Sequence, residues 1–217
     1  LKPNLNTMTS NYHQSNSKTN LEKSLKNLNH KPLVTIVIPA YNEAGIIANN
    51  LKIICQYMET LEDKYDWEMI VVNDGSKDDT GAISEEFASN RKNVYVLHHN
   101  INYGMGQALK YGFNNSRGDY ILTLDLDLSY SPEHIERLLS KIVETRAKVV
   151  VASPYMKGGK ISNVPWLRKK LSIWGNIFLA LTAKQDLKTL TGVVRAYDGV
   201  FLRSLHLKSA GMEINPE

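Results

Sequence analysis

Between Leu33 and Val151, short β-branched runs alternate with stretches of helical periodicity. This alternation constrains the fold more than any other property of the chain. Leu33-Val34-Thr35-Ile36-Val37-Ile38 reads as a buried strand ended by Pro39. Ile47, Leu51, Ile54, Met58 and Leu61 recur at helical spacing and predict an amphipathic helix over roughly 43–61. Trp67 to Val72 is a second strand that closes on Asn73-Asp74-Gly75. Ser76, with Asp79 three residues on, resembles a capping box and opens a second helix. Val94–Leu97 is a third strand, followed by a helix near 104–116 and a fourth strand from Tyr120 to Leu124. Ser131 and Pro132 read as N-cap and first helical position of a helix with Ile135, Leu138, Leu139 and Ile142 on one face. Val149–Val151 is a fifth strand. Such alternation builds βαβ units, and so an α/β fold: a Rossmann-like, mostly parallel sheet flanked by helices.

Ligands of sheets of this kind bind at the carboxyl ends of the strands. The polar residues fall there: Asn42 and Glu43 after the first strand, Asp74 at the end of the second, Asp125 and Asp127 at the end of the fourth. In an extended chain, residues two apart point to the same side, so both carboxylates of Asp125-Leu126-Asp127 face one point. Two like charges that close require a cation or a cluster of donors between them. Hard carboxylate oxygens suit Mg²⁺ or Mn²⁺, which share the rest of their shell with substrate phosphates. Dinucleotide chemistry is disfavoured, because Pro39-Ala40-Tyr41-Asn42-Glu43 replaces the glycine-rich turn after the first strand. No Gly-x-x-x-x-Gly-Lys-Ser/Thr loop occurs, and Gly104-Met105-Gly106 lacks a third glycine and reads as a tight turn.

Charge narrows the partners. The formal charge of +4 resides in residues 1–31, where Lys2, Lys18, Lys23, Lys26 and Lys31 oppose Glu22 alone. The remainder is neutral on balance, so no nucleic-acid surface is implied. Residues 1–31 are polar and aperiodic and read as a disordered tail, with contact to an anionic membrane as the other reading. Residues 32–217 then form the folded domain, and the sequence reads as a piece of a longer protein, cut short at its carboxyl end. The single cysteine, Cys55, lies on the apolar face of the first helix and reads as a core thiol. A reducing, cytoplasmic compartment is the default. No apolar run is long enough to span a bilayer. Residues 171–183 are apolar but short and read as a core helix; Arg168, Lys169 and Lys170 before it support an interfacial helix as the other reading.

Val37-Ile38-Pro39-Ala40-Tyr41-Asn42-Glu43, Val72-Asn73-Asp74-Gly75-Ser76, Asn102-Tyr103-Gly104-Met105-Gly106, Asp125-Leu126-Asp127-Leu128-Ser129 and Pro132-Glu133 occur in this order. The combination resembles family 2 glycosyltransferases of the GT-A fold, and within them the polyprenyl-phosphate (dolichyl-phosphate) mannosyl- and glucosyltransferases, from about Leu33 to Phe201. The resemblance implies that Pro39, Tyr41 and Glu43 line the nucleoside pocket and that Asp74 accepts a hydrogen bond from the base. It implies that Asp125 sits near the ribose and metal, that Asp127 binds the metal directly, and that Ser129 stands near metal or sugar. Arg168, Ser172 and Arg195 match positions linked to the acceptor phosphate. Two departures concern the acceptor side: Ser153-Pro154-Tyr155 lacks an arginine that these enzymes often carry, and Asp186 lies farther ahead of Gly192 than their usual aspartate.

The function implied is inverting transfer of a hexose from a nucleoside-diphosphate sugar, of the GDP-mannose or UDP-glucose type, to a polyprenyl phosphate. The enzyme would depend on Mg²⁺ or Mn²⁺ and sit at the cytoplasmic face of a membrane. A phosphate nucleophile is largely ionised at neutral pH, since its second pKa is about 6, and needs no strong base. A saccharide or other hydroxyl acceptor is the alternative; it would need a base, for which Asp186 is the available candidate. Two readings from other classes are a nucleotidyltransferase, against which stands the lack of a Gly-rich basic loop after the first strand, and a non-catalytic nucleotide-binding module.

Overall fold

The computed structural model describes residues 31–153 and 192–207. The tail through residue 30, the 171–183 stretch, Pro154, Arg168, Ser172 and Asp186 lie outside the described residues. In chain order the elements are β1 (Leu33–Ala40), α1 (Ile47–Glu59), β2 (Asp66–Asp74), α2 (Thr80–Ser89), β3 (Val94–His99), α3 (Met105–Asn115), β4 (Tyr120–Thr123), α4 (Glu133–Thr145), β5 (Val149–Val151), β6 (Arg195–Asp198) and α5 (Gly199–Ser204). They form one mixed α/β sheet in the order β3-β2-β1-β4-β6-β5. β1 is central and runs parallel to β2 and β4, with Val37 opposite Ile70 on one side and Thr123 on the other.

Alternation along β1 sorts the two cores. Val34, Ile36 and Ile38 pack with Leu51, Ile54, Met58, Leu138, Leu139 and Ile142 on the face covered by α1 and α4. Val37 points the other way, toward Ala108, Leu109 and Phe113 of α3, with Tyr197 and Leu202. Both helical stripes expected from sequence are the buried ones. Cys55 is buried within the first core, and desolvation pushes its thiol up to about 11, as befits packing material. Among the described residues no helix is long and apolar enough to cross a membrane.

Four expectations need correction. β1 continues through Pro39 to Ala40. The pairing of β4 stops at Val37, so the missing proline N–H leaves no ladder bond unmade. The capping box at Ser76 does not form: α2 begins at Thr80, and Asp78 Oδ1 accepts from the Thr80 amide at 3.1 Å. The helix expected to start at Pro132 starts one residue later, with Pro132 in the cap position. Among the described residues the sheet also holds a strand beyond the five expected. β6 enters between β4 and β5, antiparallel to both. The short Arg195-Ala196-Tyr197-Asp198 run carries a charge at either end and no apolar alternation to announce it.

Candidate active site

The carboxyl ends of β1, β2 and β4 lie side by side, so the loops that leave them share one rim. The loop after β1 turns at Asn42, whose φ of 56° is left-handed, a conformation that asparagine tolerates better than most residues. It is joined to the loop after β2 by four bonds. The Asn42 amide donates to Ser76 Oγ (3.0 Å), Lys77 N to Asn42 Oδ1 (2.8 Å), Glu43 N to Thr80 Oγ1 (2.7 Å) and Ala44 N to Asp78 Oδ2 (3.1 Å). The Glu43 carbonyl then accepts from Ile46 and Ile47 and starts α1. Glu43 is thereby fixed at the rim, while Tyr41 is 40% exposed beside it.

The acidic pair is delivered by a turn. β4 ends at Thr123, ahead of the expected Leu124, and the chain bends at Leu126–Asp127, with Leu128 at φ 53°. Asp125 and Asp127 are therefore presented by a turn and not, as expected, by an extended chain. Leu126 is buried as the anchor, its carbonyl takes a 2.9 Å bond from Asn50 Nδ2 on α1, and Asp127 Oδ1 accepts from the Ser129 amide at 2.8 Å. The carboxylates nonetheless feel one another. Desolvation, then Asp127, then Glu43 push the Asp125 carboxyl up to about 6. Desolvation, then Asp127 and Asp78, raise that of Glu43. No basic side chain figures among these influences. The arrangement is a concentration of negative charge that a cation would relieve. Among the described residues no group of three potential ligands forms a ready metal cage.

Asp74 is buried at the end of β2 and is largely occupied. Oδ1 accepts from the Tyr103 amide (3.0 Å) and lies 2.6 Å from His99 Nδ1, and Oδ2 accepts from the Gly104 amide (2.8 Å). A carboxylate has about four acceptor positions, so one remains for a ligand. Gly75, at φ 67°, has no room for a side chain: a Cβ there would meet the Ile101 carbonyl carbon at 2.1 Å. The loop after β3 thus presses directly onto the end of β2.

Arg195 opens β6 opposite Thr123, two residues before Asp125. It is buried, and its Nε donates to the Gly192 carbonyl at 2.7 Å. The structure brings Pro39, Tyr41, Glu43, Asp74, Asp125, Asp127 and Ser129 to neighbouring strand ends, with Arg195 on the adjoining strand. Asp78, Thr80, His99 and Tyr103 carry no role legible in the sequence. The partners that tie them to the rim, Glu43, Ala44 and Asp74, lie tens of residues away, and the available signal was Gly75 and Gly104, the two glycines among the described residues with positive φ, which mark where backbones meet.

Residues 35–206 match the family model described as glycosyl transferase family 2. A polyprenol monophosphomannose synthase of Mycolicibacterium smegmatis is 32% identical over 80% of this chain and 64% of its own length. A dolichyl-phosphate beta-glucosyltransferase of Trichomonas vaginalis is 32% identical over 71% of this chain and 48% of its own. The chain spans about half to two thirds of the length of such relatives. Among solved structures, glucosyl-3-phosphoglycerate synthase from Mycobacterium tuberculosis, in complex with Mn²⁺, UDP and glucosyl-3-phosphoglycerate, superposes with a TM-score of 0.64 at 19% identity, over 85% of this chain and 63% of that one. A mannosyltransferase from Pyrobaculum calidifontis with GDP-mannose and Mn²⁺ gives 0.52 at 18% identity, over 78% and 45%.

Proposed function

The chain belongs to glycosyl transferase family 2, with the GT-A fold, and from that premise we propose that it transfers a hexose from a nucleoside-diphosphate sugar to a polyprenyl phosphate. The observation that carries the donor half is the convergence of Glu43, Asp125 and Asp127 at the ends of β1 and β4, where no basic side chain among the described residues offsets the rise of the Glu43 and Asp125 carboxyls. The acceptor half rests on the relatives, whose names specify polyprenyl or dolichyl phosphates.

In this reading Asp125 and Asp127 hold a Mg²⁺ or Mn²⁺ ion, with Ser129 keeping Asp127 in place through its amide. Such an ion, when bound, acts as a Lewis acid toward the diphosphate leaving group. Pro39, Tyr41 and Glu43 line the nucleoside pocket, and Asp74 offers its remaining acceptor position to the base. Arg168, Ser172 and Arg195 receive the acceptor phosphate; a guanidinium presents a fork of donors that matches phosphate oxygens. Direct displacement at the anomeric carbon inverts it, and because that phosphate is already largely ionised at neutral pH the step needs no dedicated base. The lipid nature of the acceptor places the enzyme at the cytoplasmic face of a membrane, peripherally.

A thermal-shift panel of UDP and GDP, with Mn²⁺ or with chelator, tests the donor site. Stabilisation by mass action is expected only with the metal. Equal stabilisation in chelator would remove the metal from the mechanism. Binding without turnover of any polyprenyl phosphate would reduce the chain to a nucleotide-binding module. Turnover confined to saccharide hydroxyls would transfer the assignment to the alternative acceptor class.

A further inference from the structure

An exposed aromatic ring on a loop ordinarily turns freely, and ordering it against a ligand costs affinity. Tyr103 is 53% exposed yet held from two sides. Its amide and that of Gly104 are bound to the two oxygens of Asp74, and the backbone just before it rests on Gly75. Its ring meets the His99 imidazole edge-on, with centroids 5.0 Å apart and planes at 87°. His99 is itself clamped. Its side chain is only 15% exposed, its Nδ1 bonds Asp74 at 2.6 Å, and its other face stacks on Tyr111 at 5.1 Å and 9°.

The end of β2 carries Asp74 and lies between the ends of β1 and β3 in the sheet. Tyr41 follows β1 and Tyr103 follows β3, so the two exposed tyrosines flank that end. We infer that Tyr103 is a nucleobase-contacting residue of the donor site, and that His99 is the positioning residue that holds its ring toward the base. The inference rests on the nucleotide-donor reading above. A phenol ring offers a flat π-face that stacks on purines and pyrimidines alike, so the ligand class is a nucleoside diphosphate of either kind.

Calorimetric titration of the full chain with Mn²⁺ and each of UDP, GDP and inorganic pyrophosphate tests this. Pyrophosphate supplies the anionic part of the ligand without a base. Tyr103→Ala should weaken UDP and GDP about tenfold and leave pyrophosphate affinity and melting temperature near wild type. Tyr103→Phe, which keeps the ring, should remain within about twofold. His99→Ala should weaken both nucleotides and also lower the melting temperature. His99→Asn, which keeps a donor for Asp74 but no ring, should recover the melting temperature while nucleotide affinity stays low. If Tyr103→Ala binds UDP and GDP as wild type does, the inference fails and the donor site stands. If it weakens pyrophosphate as much as the nucleotides, the ring acts through the loop and the inference also fails. A wild-type chain that binds pyrophosphate but neither nucleotide sinks the donor-site reading itself.

Discussion

Burial, Asp127 and Glu43 push the Asp125 carboxyl from 3.8 up to about 6. The folded state therefore holds this proton more tightly than the unfolded state does. Its stabilising effect is complete below the unfolded pKa and is lost as pH rises through about 6. Asp125→Asn should accordingly be more stable than wild type at pH 7 in chelator, by up to about 2 kcal/mol after allowing for partial exposure. The advantage should disappear near pH 4; urea titrations across that window check it. Asp127→Asn removes the charge that, after desolvation, most raises both Asp125 and Glu43. Its melting temperature in chelator should stay level or rise, while Mn²⁺-dependent nucleotide stabilisation and sugar transfer are lost; a large fall in stability would make Asp127 structural. The residue types of this site were legible in the sequence, because carboxylates two apart after an apolar run carry their own chemistry. Their conformation was not, because the bend at Leu126–Asp127 is held by Asn50, a helix residue far away in the chain. The internal commitments of Asp74 were hidden for the same reason, since its partners are supplied by β3 and the loop after it.

Elements expected from a strong period survive with small shifts at their ends, where capping depends on contacts outside the element. α3 shows what fixes such an element in place. Gly112 faces Val37 of β1, and a Cβ there would lie 2.3 Å from Val37 Cγ1. Valine is β-branched and stiff at χ1, so it yields little. Gly112→Ala should destabilise the fold by about 1–3 kcal/mol from overpacking, partly offset by up to about 1 kcal/mol of better helix propensity. Chemical denaturation would register this as a lower midpoint at unchanged slope, and an increase in stability would mean that the helix can lift off the sheet. β6 is an element the sequence hid. It has four residues, and its burial comes from β4 and β5 on its two sides and not from a pattern of its own.

At the scale of the whole molecule, β5 depends on β6, its sheet neighbour at that edge, and β4 is capped on one side by the same strand. A chain ended after Ser153 should therefore lose cooperative thermal unfolding and scatter light, although it keeps the whole acidic turn. Cooperative melting of that fragment would show that four parallel strands suffice. The arrangement also has a consequence in time. On the ribosome the parallel strands emerge in order and find neighbours as they appear, but Val151 emerges well before Arg195. At about 5–20 residues per second, several seconds pass in which the edge of β4 is open to any other strand. Slower elongation across this interval lengthens the exposure. Codon choice between these two strands should then govern the yield of soluble protein more than codon choice anywhere earlier in the message.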